Sequence, residues 1–184
     1  MSALLNVELT TPRLQLRILK SGYEQTLLEF YMDNKEHFRP WEPERHESYY
    51  TLKSMSEKCR QSEEQCVQGL GIHWLAFLKG RLVGFCHFSN IVRGVFQACH
   101  LGYGVDSRHQ GQGLMREVVQ AGIQYMFDEQ GLHRVMANYM PSNSRSEGLL
   151  KSLGFEREGF AKDYLKINGK WEDHILTAKR NIDL

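Results

Sequence analysis

The chain has 184 residues, with 23 Lys plus Arg against 22 Asp plus Glu and 41% hydrophobic residues. That length supports one domain with its own core, and the near-neutral balance removes any global electrostatic argument for nucleic acid or an anionic membrane. No apolar run reaches the length of a membrane span, and "MSALLNVELT" lacks the charged start and long apolar stretch of a signal peptide. Cys59, Cys66, Cys86 and Cys99 form no C-x-x-C pair. With no export signal they are expected to be reduced thiols in a cytoplasmic protein. The eight histidines are scattered, and none falls at a zinc-ligand spacing with a cysteine, so no metal is expected.

In chain order, "RLQLRIL" (13–19) alternates apolar and polar residues and predicts a half-buried strand. Ser21 is placed to cap a helix carrying Leu27, Leu28, Phe30 and Tyr31, and a loop follows in which Pro40 and Pro43 bracket Trp41 and Glu42. Ser48 is placed to cap a second helix with Leu52, Met55 and Cys59 on one face. Strands at 72–78 and 82–91 flank the tight turn Lys79-Gly80-Arg81. Arg93-Gly94 then turns the chain into a strand at about 97–106. The apolar positions Leu114, Met115, Val118, Val119, Tyr125 and Met126 predict a helix from Gly113 to about Gln130, stopped at Gly131. "HRVMANYM" (133–140) predicts another strand, and Ser144-Arg145-Ser146-Glu147 has the spacing of a capping box opening a helix that ends at Gly154. Strands near 155–167 and 171–178 flank Asn168-Gly169, a strong hairpin signal. No repeat, low-complexity segment or linker divides the chain, so residues 1–184 read as one mixed α/β domain.

The stretch "SRHQGQGLM" (107–115) lies between the strand at 97–106 and the helix predicted from Gly113. A helix start presents unpaired N–H groups and a partial positive charge, and glycines there let a phosphate oxygen approach the backbone. Arg108 adds a forked cationic donor. A strand, Arg108-x-x-Gly111-x-Gly113 and a helix make a pyrophosphate cradle. On these residues alone an ordinary glycine turn serves equally well. No Gly-Lys-Ser/Thr follows, so this is not a Walker loop, and the spacing differs from the dinucleotide fingerprint.

Arg108-His109-Gln110-Gly111-Gln112-Gly113 resembles the Q/R-x-x-G-x-G/A signature of the GNAT acetyltransferases. The surroundings resemble that family as well: "LGYGVD" its fourth strand, "NSRSEGLLKSLGF" (143–155) its N-x-x-S…L-G-F segment, and "EGFAKDYLKINGKWEDHIL" its closing hairpin. "LTTPRLQLRIL", "HFRPWEP" and "SNIVRG…HLGY" are similar to the branch that acetylates ribosomal proteins, the RimJ-type alanine N-acetyltransferases. The resemblance spans about residues 8 to 178.

That resemblance implies an α/β fold with a mixed central sheet of about seven strands, splayed between the fourth and fifth, and about four helices. It implies acetyl-CoA as co-substrate and direct transfer to an amine without a covalent enzyme intermediate. The absence of a recognisable nucleophile motif agrees with this. Leu101, Tyr103, Gly104 and Val105 would pair with the pantetheine arm. Arg108, His109, Gln110, Gly111, Gln112, Gly113, Leu114 and Met115 would hold the pyrophosphate. Asn143 would contact the cofactor, and Ser146 would donate to the departing sulfur, although serine in a first helical turn also commonly serves the backbone.

The general base is open, because many relatives carry an acid where His100 stands. Glu42 is the favoured candidate, with His100 and His87 as alternatives that titrate near neutrality. Tyr139 and Tyr164 are alternative proton donors. Trp41, Glu42 and Glu44 are expected on the substrate side. An α-amino group, with a pKa of about 7.7–8.0, is far easier to deprotonate than a lysine at about 10.4, which favours a protein N-terminus as acceptor. The implied partner is a ribosomal protein, alone or within a ribosome or its precursor. The competing expectations are an acetyltransferase for small amines such as polyamines or amine toxins, drawn by the Glu42–Glu44–Glu47 cluster, and a ribosome-assembly binding factor. No RNA-binding signature appears.

Overall fold

The computed structural model describes residues 4–182. Eight strands form one sheet in the order β1-β2-β3-β4-β5-β6-β8-β7. They are β1 (Glu8–Thr10), β2 (Gln15–Ile18), β3 (Ile72–Leu78), β4 (Arg81–Val92), β5 (Ala98–Val105), β6 (Arg134–Tyr139), β7 (Glu156–Ile167) and β8 (Lys170–Arg180). The helices are α1 (Glu24–Asp33), α2 (Lys35–Phe38), α3 (Leu52–Val67), α4 (Leu114–Asp128) and α5 (Ser144–Ser152). The mixed α/β architecture is the expected one, with one strand and one helix more than the sequence predicted. The extra strand β1 is three residues long, too short to show alternation, and folds back on β2 through a turn in which Thr11 N–H donates to the Leu14 carbonyl at 2.9 Å. The extra helix α2 is a single turn separated from α1 by Asn34 alone.

Three predicted caps fall elsewhere. Ser21 does not cap α1; its N–H and hydroxyl both engage the Glu63 carboxylate, at 2.8 and 3.0 Å, tying the start of α1 to α3. Ser48 sits in a short 3-10 turn, and Thr51 caps α3 by accepting from Ser54 N–H at 3.2 Å. Ser144 is the first residue inside α5, because Asn143 accepts from Ser146 N–H at 3.0 Å. Asn and Ser are equally favoured N-caps, so residue type alone does not choose between the two positions. Glu147 then pairs with Lys151 at 2.7 Å instead of closing a box.

Each sheet face carries its own apolar layer, since strand side chains alternate. Leu75, Phe77 and Phe85 meet Leu27, Phe30 and Tyr31 of α1 and Met55 and Cys59 of α3. Trp74, Cys86, Phe88 and Leu101 meet Val118, Val119, Ile123 and Met126 of α4 and Leu150 of α5. Each large apolar side chain buried this way contributes about 1.5–3 kcal/mol.

All neighbouring strands run antiparallel except β5 and β6. That parallel pair needs a crossover, which α4 supplies. Its pairing stops after Ala98↔Arg134, Cys99↔Val135 and His100↔Met136. β5 continues to Val105, whereas β6 stays paired to β8 as far as Tyr139↔Ile175. The sheet is therefore open beyond His100, at the seam where a splay was expected.

Candidate active site

The turn after β5 is built to be rigid. Asp106 is buried; its N–H donates to the Val83 carbonyl at 2.8 Å and its carboxylate accepts from Arg108 N–H at 2.9 Å. Asn34, buried at the end of α1, accepts from Ser107 N–H at 2.9 Å. From this anchored turn the chain passes through Gly111 and Gly113 at φ of 71° and 75°, a region costly for side-chain-bearing residues. A Cβ on Gly111 would meet nothing within 4 Å, so the backbone there stands open to the cleft. Gly113 begins α4 and gives it no side-chain cap, unlike Thr51 at α3 and Asn143 at α5. The first N–H groups of α4, with the positive end of its dipole, are left for an anion.

The expected role of the Arg108 side chain needs correction. Its guanidinium donates to Asp106 at 2.6 and 3.0 Å and to Asp33 at 2.9 Å, so two carboxylates already hold its charge. Arg108 braces the turn and does not line the cleft. Burial works against the Asp106 charge, but the Arg108 hydrogen bonds outweigh it and hold the carboxyl below its usual range. Gln112 also braces the turn: its amide donates to the Arg108 carbonyl at 3.1 Å, and its own carbonyl accepts from Arg13 at 2.9 Å. His109 and Gln110 line the cleft, with Gln110 bonded to His37 at 3.1 Å.

The cleft, about 720 Å³, runs from this loop into the open seam between β5 and β6. Leu101 to Val105 form one wall; Asn138, Tyr139, Asn143 and Ser146 lie on the other. The Tyr103 hydroxyl and Ser146 Oγ are 2.5 Å apart across it. Burial pushes the Tyr103 phenol up to about 12, so it stays a neutral hydroxyl at physiological pH. Leu101 and Tyr103 face α4 and α5, as do their antiparallel partners Phe88 and Cys86. On the opposite face a Cβ on Gly102 would overlap the His87 ring, and one on Gly104 would lie 2.8 Å from Phe85. The two glycines let aromatic rings close directly over β5.

On the acceptor side, Trp41 lines the cleft beside His37 and Phe38. Glu42 and Glu44 do not. Both line a separate recess of about 320 Å³ with Lys35, Arg45 and Tyr50. Burial raises the Glu42 pKa, while Arg45, whose Nε lies 3.7 Å away, and Lys58 oppose the rise. Glu42, expected as the base, and Glu44, expected as a substrate contact, thus stand outside the cleft lining, in a recess that adjoins it at Phe38. The loop is held there by Asn168 N–H, which donates to the Glu42 carbonyl at 3.0 Å and ties it to the closing hairpin.

The other candidates fare differently. His87 is buried under Gly102, where burial, His73 and Lys58 drive its pKa down to about 3. His100 is half-buried in the paired part of β5, outside the cleft lining, and burial lowers its pKa. Tyr139 lines the cleft, whereas the Tyr164 hydroxyl sits behind it and accepts from Asn138 Nδ2 at 3.3 Å. Three cleft residues, His37, Asn138 and His174, carried no sequence signal beyond their residue type. Among the described residues no group of three or more His, Cys, Asp or Glu could hold a metal ion, and no helix is long and apolar enough to cross a membrane.

A parallel pair that opens beside an uncapped, glycine-entered helix start is the layout of an acyltransferase that grips a nucleotide thioester along a broken sheet edge. The chain belongs to the GNAT family: the model of the acetyltransferase (GNAT) domain matches residues 13–156. It is 44% identical over 174 residues, 94% of this chain and 90% of the relative, to the [ribosomal protein uS5]-alanine N-acetyltransferase of Escherichia coli (strain K12). Among solved structures, the ribosomal-protein-S5-alanine acetyltransferase of Vibrio fischeri aligns with a TM-score of 0.92 and 40% identity, covering 97% of this chain and 98% of that one. RimJ of Mycobacterium smegmatis, in complex with CoA-disulfide, aligns with a TM-score of 0.88 and 26% identity over 93% of this chain and 83% of that one. The protein is an acetyltransferase.

Proposed function

We propose that this single-domain protein transfers the acetyl group of acetyl-CoA to the N-terminal α-amino group of a protein, the N-terminal alanine of a ribosomal protein. The observation that carries this reading is the open seam beyond His100, with Tyr103 and Ser146 on its wall, in a chain similar over 94% of its length to an enzyme of that specificity.

The residues present fit the co-substrate. The unpaired edge from Leu101 through Tyr103 and Gly104 to Val105 offers strand-like partners to the pantetheine amides. The backbone from Gly111 to Met115 holds the pyrophosphate. Asn143 fixes the first turn of α5 and so fixes Ser146. With Tyr103 donating to Ser146 Oγ, the serine hydroxyl is free to donate to the departing sulfur. Direct transfer fits the cysteines: all four are buried, none lines the cleft, and burial raises the pKa of each, Cys59 to about 11 and Cys99 to about 12. None is a thiolate nucleophile at neutral pH.

Several features favour a protein N-terminus over a polyamine. An α-amine is partly neutral at pH 7 and needs only a weak base. The acids that would hold a polycation, Glu42 and Glu44, face Arg45 and Lys35 in the other recess. The work is placed in the cytoplasm, on a ribosomal protein free or within a ribosome precursor. The test is release of free thiol from acetyl-CoA with alanine-starting peptides, the same peptides blocked at the N-terminus, and polyamines. Release with the free peptide alone is expected; release with polyamines alone would overturn the reading.

A further inference from the structure

We propose that His174 is the proton acceptor for the incoming amine, a role that rests on the acetyl-transfer reading above. His174 is buried on β8 and lines the same cleft as Ser146. It stands one residue beyond the last pairing of β8 with β6, Tyr139↔Ile175. Its neighbours Ile175 and Thr177 share the α5 side of the sheet with Tyr139, Leu150 and Phe155. Strand alternation puts His174 on the other side, where Asn138 and Tyr164 also lie; the Tyr164 ring is 5.5 Å from the imidazole. The seam thus has a hydroxyl pair on its α5 side and an imidazole on the opposite side. A leaving sulfur and an attacking amine need those two positions.

The tautomer is set by chemistry. Nδ1 lies 2.9 Å from the Glu172 carbonyl oxygen, which can only accept, so Nδ1 carries the hydrogen. Nε2 of the neutral ring therefore holds a lone pair, and it makes no hydrogen bond among the described residues. Of the other cleft histidines, His37 is hydrogen-bonded already, and His109 belongs to the Gly-rich turn, where its Nδ1 makes no hydrogen bond among the described residues. His37 Nε2 accepts from the Gln110 amide and its ring also bonds the Val105 backbone. The His109 Nδ1 lies 3.8 Å from Asp106.

In the step itself, an ammonium proton passes to His174 Nε2 and the neutral amine attacks the thioester carbon. The new C–N bond forms, the C–S bond breaks, and the second amine proton ends on the sulfur as free thiol. His174 then releases its proton to solvent.

The titratable and charged groups of the ring's surroundings are Tyr164 on β7, Glu172 and Asp173 on its own strand, and His37, Tyr103, His109, Arg116, Tyr139 and Arg145 in the cleft lining. Of these, the Asp173 carboxylate is engaged by Asp163 N–H at 2.9 Å.

His174→Asn tests the proposal, because the Asn amide nitrogen preserves a donor to the Glu172 carbonyl while nothing replaces Nε2. The expected result is a fall in kcat at pH 7 of about a hundredfold, as for loss of a general base. KM for acetyl-CoA should stay within about threefold, and the deficit should narrow as pH rises past the α-amino pKa of about 8. Turnover within about threefold of wild type at pH 7, or an equal deficit at every pH, would overturn the proposal in favour of a structural role. The comparison uses whichever amine the wild-type protein acetylates, so failure of the alanine-peptide reading and failure of the His174 role are read separately.

Discussion

Ser146 is held by two different bonds: its N–H goes to Asn143 at 3.0 Å and its hydroxyl to Tyr103 at 2.5 Å. The first is the capping role any serine in that turn could serve, and the second is not. Ser146→Ala keeps the capped N–H and removes the hydroxyl. Turnover should fall about a hundredfold, the low end of the range of about 10²–10⁴ for lost acid–base help, with coenzyme A affinity by calorimetry little changed. Full turnover would place the sulfur's donor elsewhere. Glu42→Gln should leave kcat and its pH profile within about twofold, since that carboxyl faces the Arg45 recess. Asp106→Asn should behave oppositely to Glu42→Gln in a stability measurement. A carboxylate whose folded pKa is depressed contributes stability above its unfolded pKa of about 3.9, and that contribution is lost as pH falls through the lower folded value. The variant should therefore lose about 1–3 kcal/mol at pH 7, and chemical denaturation should show the gap to wild type closing below about pH 4.

At the scale of single elements, the glycines of β5 and of the loop that follows it act for different reasons. Gly111 has open space where a Cβ would go but a φ of 71°. Gly111→Val should weaken coenzyme A binding at least tenfold and cost about 1–2 kcal/mol from left-handed strain. Gly111→Asn, a residue that tolerates this region, should lose less; equal affinity for all three proteins by calorimetry would reduce the loop to a turn. Gly102 fails on space, because the His87 ring lies over it. Gly102→Ala should cost about 1–3 kcal/mol, a Tm drop of roughly 2–4 °C for each kcal/mol. Most elements were legible at this scale: the periodicity of 114–126 and the Asn168-Gly169 turn are local signals, and α4 and the closing hairpin form where they predict. The caps were less legible. Ser144 and Asn143 are both good caps one residue apart, and only the backbone dihedrals choose between them.

The site as a whole depends on strand order, which no local pattern carries. β8 lies between β6 and β7. That insertion takes up the far edge of β6, frees its near edge at the seam, and brings His174, 28 residues beyond Ser146 in sequence, into the same cleft. The cofactor side was legible because one short loop and one helix start build it from contiguous residues. The acceptor side was not, because it is assembled from β6, β8 and the Pro-bracketed loop. Glu42 looked like a base when read by type and position alone; the hydrogen bond from Asn168 to its carbonyl, made across the molecule, helps hold its loop where the side chain enters the other recess. On the proposed function the seam delivers an α-amine, not a side-chain amine, to the thioester. The most direct measurement is to incubate the protein and acetyl-CoA with a peptide that begins with alanine and carries an internal lysine, and to locate the acetyl group by tandem mass spectrometry. Acetyl on the α-nitrogen alone is the expected result. Acetyl on the lysine ε-nitrogen, with the α-amine left free, would contradict it.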